Sequence, residues 1–110
     1  MGLKRNAVYT GENEMGNVRV RDWDKLAIQC RALSNTTRIQ ILVYLYDNHK
    51  AGVCELAEAL ERIPSIMAGN VRRLENAGLI TRERDGNVNY CYLTDIALVK
   101  RIIDLTGKEL

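Results

Sequence analysis

The sequence predicts an α+β fold that is mostly α, with about five helices and one β-hairpin. Three patterns predict it. Apolar residues recur at helical spacing in five segments. Only Glu61-Arg62-Ile63 separates the third segment from the fourth. Before the last helix, Asp85-Gly86 divides two strand-like runs, a short-range hairpin signal because both residues tolerate positive φ.

The elements follow in order. From Asp22 the pattern is helical, with Trp23, Leu26, Ala27 and Cys30 on one face. Asn35 reads as the N-cap of a second helix, whose inward stripe is Ile39, Leu42, Val43 and Tyr46. The polar run Asp47 to Gly52 reads as a loop. Val53, Leu56, Ala57 and Leu60 predict a short third helix. Pro64 opens the fourth, where its missing N–H costs nothing. Met67, Val71 and Leu74 point inward there, and Gly78 is the residue that ends it. A two-residue Asp85-Gly86 turn pairs Arg84 with Asn87, Arg82 with Asn89 and Ile80 with Cys91. One hairpin face then carries Arg82, Arg84, Asn87 and Asn89 near the tip, and Ile80, Cys91 and Leu93 near the base. The last helix runs from about Asp95 to Thr106 with two apolar stripes, Ile96/Val99/Ile103 and Leu98/Ile102/Leu105. That exceeds the single stripe one core needs, and a second copy of the chain is the simplest cover.

Composition narrows the class. With 110 residues, 46% of them hydrophobic, the chain suits one compact domain over 22–110, preceded by a polar, glycine-punctuated arm over 1–21. Lys4, Arg5, Arg19 and Arg21 in that arm read as a solvated tail, with phosphate contact as the alternative. No apolar run reaches the roughly 18 residues of a membrane span. The N-terminus lacks the apolar core of a secretory signal, so a cytoplasmic protein with no membrane partner is expected. Net charge is only +2. Between Arg62 and Arg84, however, five arginines face two glutamates, a local excess of +3 that Asp85 lowers to +2. Three scattered cysteines, with no C-x-x-C pair, argue against a disulfide framework. The single histidine, His49, lacks partners for zinc binding or for general-base chemistry, which argues against an enzyme.

Two short helices joined by a three-residue turn and followed by an arginine-bearing hairpin form a winged helix-turn-helix pattern. Opposite its inward stripe, the fourth helix presents Ser65, Gly69, Arg72 and Asn76, flanked by Ala68 and Arg73. A helix of this kind fits the major groove of double-stranded DNA. Arg72 is the leading candidate for base or phosphate contact, and Arg82 and Arg84 for phosphates or the adjacent minor groove. The competing readings are a solvated helix face and a protein-interaction module without an inducer site.

The segment Cys30-Arg-Ala-Leu-Ser-Asn-Thr-Thr-Arg38-Ile-Gln-Ile-Leu42 resembles the "ALADPTRLRIL" signature of the ArsR/SmtB-type metal- and metalloid-sensing repressors. Gly52-Val-Cys54-Glu-Leu-Ala57 is similar to their "CVCDLA", Asn70 to Ile80 to "HLKVLREAGLV", and Asp85 to Leu93 to the wing "EGRWVYYRL". The resemblance covers roughly residues 25–94. It implies a homodimer joined through the first and last helices, released from operator DNA by an inducer. Asn70 stands where the family carries His and joins the DNA-facing set. Gly52 replaces the first cysteine of the family's Cys-x-Cys pair. Asp95 matches a zinc-ligand position, but Ala97 stands where a His is expected. A metal or metalloid cofactor therefore stays open. Cys30 and Cys91 read first as small core hydrophobes and second as sensing thiols. Cys54, off its helix's apolar stripe and near a helix start that favours the thiolate, is the leading sensing candidate.

Overall fold

The computed structural model describes residues 20–107. Five helices and three strands occur among them. They are α1 (Val20–Leu33), α2 (Thr36–Asn48), β1 (Ala51–Gly52), α3 (Val53–Ala59), α4 (Pro64–Asn76), β2 (Ile80–Asp85), β3 (Val88–Leu93) and α5 (Ile96–Asp104). The expected 1–21 arm lies largely outside the described residues. Its boundary falls inside α1, which begins two residues before Asp22.

Local chemistry sets the helix ends. The Asn35 side chain accepts the Arg38 N–H at 3.1 Å, so one orphan donor of α2 is satisfied as the sequence predicts. Asp95 does the same for α5, accepting from the Leu98 N–H at 3.0 Å. Pro64 sits in the first turn of α4. At the other end Gly78 takes φ +77, Leu79 N–H returns to Leu74 O at 3.0 Å, and Gly78 N–H to Glu75 O at 3.0 Å. This paired closure needs a left-handed residue, which glycine provides without steric penalty.

Packing corrects several expectations. The buried positions of α2 are Ile41, Leu42 and Leu45, while Ile39 is 36% exposed and Val43 and Tyr46 are half-buried. The spacing i, i+3, i+4, i+7 fits both 38/41/42/45 and 39/42/43/46. The structure adopts the first set, which begins with an arginine. Arg38 can occupy that place because its Nε donates to Ala32 O at 2.6 Å and its Nη1 to Asn70 Oδ1 at 2.8 Å. Ala51 and Gly52, read as loop, form a two-residue strand at the edge of a sheet ordered β1-β3-β2. A strand this short carries no periodicity to detect.

The hairpin register also differs. Arg84 pairs with Asn89, Arg82 with Cys91 and Ile80 with Leu93, so every partner is two residues further along β3 than expected. The turn is centred on Gly86-Asn87, with Gly86 at φ +66 in the first central position, as a type II′ turn requires. A shift of two keeps the alternation of a strand, so the predicted face assignments survive except at Asn87, which moves into the turn.

Ile41, Leu56, Met67, Val71, Leu74 and Cys91 are fully buried at the centre of one core, covered by Leu79, Ile80 and Val99. Of the two α5 stripes, Val99 and Ile103 are buried and Leu98 and Ile102 half-buried, while Ile96 is 60% and Leu105 85% exposed. No helix among the described residues is long and apolar enough to cross a membrane.

Candidate nucleic-acid interface

The interface is built around α4. Its stripe Met67, Val71 and Leu74 is at 0% exposure, so the opposite side must face outward. Ser65, Arg72, Arg73 and Asn76 are exposed there, with Ala68, Gly69 and Asn70 half-buried. Ile63, the residue before α4, makes no side-chain cap bond, so the first N–H groups of the helix are not capped by it. A helix start of this kind favours an anion such as phosphate. A Cβ placed on Gly69 would meet nothing within 4 Å, so the backbone of that turn is bare.

The five arginines of the basic segment have different employments. Arg62 holds the α3–α4 turn onto α2: its Nε donates to Thr37 Oγ1 at 3.2 Å, Nη1 to Leu60 O at 2.6 Å and Nη2 to Gln40 Oε1 at 3.2 Å. Arg82 Nε lies 3.3 Å from Glu75 Oε1, an ion pair that braces the wing on α4. That nitrogen is shut off from solvent and has no aligned hydrogen bond. Arg84 donates Nε to Gly86 O at 3.0 Å, across its own turn. Arg72 and Arg73 have no ion-pair or hydrogen-bond partner for their side chains among the described residues. Thus the set Ser65, Ala68, Gly69, Asn70, Arg72 and Arg73 is brought together on one helix. Arg84 stands at the wing tip, and Arg82 is drawn back toward the body.

Asn70 has a second employment. Its Oδ1 accepts from Arg38 Nη1, and its Nδ2 donates to Ile66 O at 3.2 Å. Arg38 therefore connects the end of α1, through Ala32 O, to the middle of α4. Sequence reasoning missed this positioning role of Arg38, although its place in the repressor-like signature was a signal. It also missed Ile63 and Ile66, which are 62% and 51% exposed at the leading end of α4. The available signal was Ile66 lying off the Met67/Val71/Leu74 stripe and Ile63 standing outside the helix, just before Pro64.

The three thiols are separated in use. Cys91 is buried as expected, opposite Arg82 rather than Ile80. Burial pushes its thiol up, Arg82 pulls the other way and Glu75 raises it further. A protonated buried thiol is a poor metal ligand and nucleophile. Cys54 is exposed on α3. Cys30, expected in the core, is exposed too. The reason is that α1 meets the body only toward its C-terminal end, where Ala32 is buried and Leu33 half-buried. The metal sites of the resembling repressors do not fit these residues. Gly52 offers no thiolate beside Cys54, and Asp95 spends Oδ1 on its cap bond. Among the described residues no group of three or more His, Cys, Asp or Glu is placed to hold an ion.

Comparison with known proteins agrees with this fold. The chain is 29% identical over 86 residues to an HTH-type transcriptional regulator of Methanocaldococcus jannaschii, covering 78% of this chain and 96% of that one. It is 34% identical over 65 residues to the arsenical resistance operon repressor of Bacillus subtilis, covering 59% of this chain and 62% of the repressor. Its fold is that of the homodimeric winged helix-turn-helix DNA-binding domain of a Mycobacterium bovis protein. The TM-score is 0.67 at 22% identity, over 94% of this chain and 87% of that domain. The HVO_A0114 family matches residues 33–94, the segment from the end of α1 through the wing. The match spans more than half of the sequence, and the chain belongs to the HVO_A0114 family.

Proposed function

We propose that this winged helix-turn-helix transcriptional regulator is a homodimeric repressor that inserts α4 into the major groove of operator DNA, with the wing against the flanking backbone. The chain is a DNA-binding protein rather than an enzyme. The observation that carries the α4 assignment is the division of that helix: its apolar stripe is wholly buried, and Arg72 and Arg73 stand exposed on the other side. A guanidinium presents a planar fork that matches guanine O6/N7 and phosphate oxygens alike. Arg84 reaches from the wing, and Ser65 and the uncapped first turn of α4 meet a phosphate. The second copy packs on α1 and α5, where Trp23, Leu26, Ile28 and Ile96, with Leu105 just past the end of α5, are the large apolar side chains left uncovered. The protein works in the cytoplasm. Of the three thiols, exposed Cys54 is the candidate for sensing an inducer, a thiol-reactive species fitting it better than a chelated metal.

The test is a gel-shift titration on duplex fragments from the chain's own promoter region. Arg72→Ala weakens specific binding by about 1–3 kcal/mol. The dimer protects two half-sites about 10 bp apart or a multiple of it. Affinity falls steeply with salt as phosphate contacts release counterions. Unchanged affinity in Arg72→Ala removes α4 from the recognition role.

A further inference from the structure

We propose that Ile66, assisted by Ile63, selects thymine in the operator by contact with its C5-methyl group. The inference rests on the reading of α4 as the helix that enters the major groove, and it names what the first turns of that helix recognise.

Three observations lead to it. The leading end of α4 carries two large aliphatic side chains where a solvated surface needs none: Ile63 is 62% and Ile66 51% exposed. Most of the other exposed apolar residues, Trp23, Leu26, Ile28, Ile96 and Leu105, lie on α1 or beside α5, so a subunit contact through those helices accounts for them. It does not account for a pair at the start of α4. Second, the polar side chain best suited to read a base in this stretch is tied back to its own chain. Asn70 Nδ2 donates to Ile66 O and its Oδ1 accepts from Arg38 Nη1, so the orientation of the amide is set by the fold rather than by a base. Third, the next positions are nearly bare. Ala68 has a methyl, Gly69 has none, and the space beyond Gly69 is open for at least 4 Å.

Base reading by polar groups therefore falls to Arg72, Arg73 and Asn76 in the second half of α4, and the first half, where Ser65 is assigned to a phosphate, offers aliphatic surface to the bases. The thymine methyl is the one apolar group among the base edges of the major groove. Placing it against Ile66 removes both from water. The arginines on the same helix hold the duplex there by charge.

The experiment uses the full chain and a duplex recovered by repeated selection from a pool with a randomised 30-bp centre. Each thymine of that duplex is replaced in turn by deoxyuridine, which deletes the methyl and leaves the hydrogen-bonding edge intact. For the wild-type chain, at least one position in each half-site loses about three- to tenfold in affinity, the effect of one methyl-sized burial. Ile66→Ala binds the unmodified duplex more weakly by a similar factor and loses nothing further at that position. Ile63→Ala gives a smaller version of the same pattern. A wild-type chain indifferent to deoxyuridine at every position overturns the inference, and so does an Ile66→Ala chain as sensitive as wild type. Dissociation of the Ile66→Ala dimer in sedimentation, at concentrations where wild type stays paired, also overturns it, because Ile66 would then belong to the subunit contact. If the wild-type chain retains no duplex from the pool, the DNA-binding role of α4 falls as well. That result is distinct from duplex retention without methyl sensitivity.

Discussion

Helices α1 and α4 are of similar length and both carry an apolar stripe, but the stripes end in opposite places. Met67, Val71 and Leu74 of α4 are at 0% exposure, whereas Trp23 and Leu26 of α1 are 44% and 48% exposed. The difference is one of position in the chain. Helix α4 is enclosed by α2, α3 and β2, while α1 docks only near Ala32. Helical periodicity says that a helix has an apolar side. It does not say which molecule covers that side. In α4 the cover is the chain's own core, and its outward side is the one proposed to meet DNA. In α1 the cover has to come from elsewhere, and the second copy of the chain is the proposed source.

Experiments can break that contrast. The largest effect is expected at Leu74→Ala, which leaves a cavity among fully buried side chains and lowers unfolding stability by about 2–5 kcal/mol in a denaturant titration. The matching change in α1, Leu26→Ala, acts on association instead. It weakens the dimer by about 1.5–3 kcal/mol in sedimentation equilibrium, while a dilute monomeric sample unfolds nearly as wild type does. Equal losses of monomer stability from both changes would erase the distinction between the two helices.

Smaller effects sharpen it. Asn35→Ala removes the cap between α1 and α2 and costs about 1 kcal/mol of stability, read from the midpoint of thermal unfolding. Gly69→Ala acts with the opposite sign: the added Cβ meets nothing within 4 Å, so the free protein gains up to about 1 kcal/mol while duplex binding falls. Improved DNA binding in Gly69→Ala would show that the bare turn does not approach the duplex.

The smallest expected effect is on pH dependence. Burial raises the Cys91 thiol above its ordinary 9.0, so folding favours the protonated form. The stability this carries is complete below that ordinary value and is lost as pH rises through the raised one. Stability therefore declines on the alkaline side, and Cys91→Ala has the flatter curve there.

Much of this was legible in residue order. Asn35, Pro64 and Gly78 act at helix ends within a few residues of themselves, so their roles could be read one at a time. Face alternation in the hairpin could be read too, and it outlasted a wrong register because the error was two residues. The phase of α2 could not be read, since it turns on whether Arg38 finds Ala32 O and Asn70 Oδ1, the second of them 32 positions away. For the same reason a string of five arginines concealed three structural tethers, at Arg62, Arg82 and Arg84, beside two unencumbered side chains.

Short-range chemistry in the chain was thus enough to set the number of helices, most of their ends, the wing and the outward side of α4. These depend on neighbours within a turn or a strand pair. Three-dimensional packing alone settled that Cys30 and the α1 stripe stay uncovered, that Arg82 leans back on Glu75, and that Ile63 and Ile66 stand at the front of α4. Burial and ion pairing are made by residues far apart in order and close in space, and no local pattern records them.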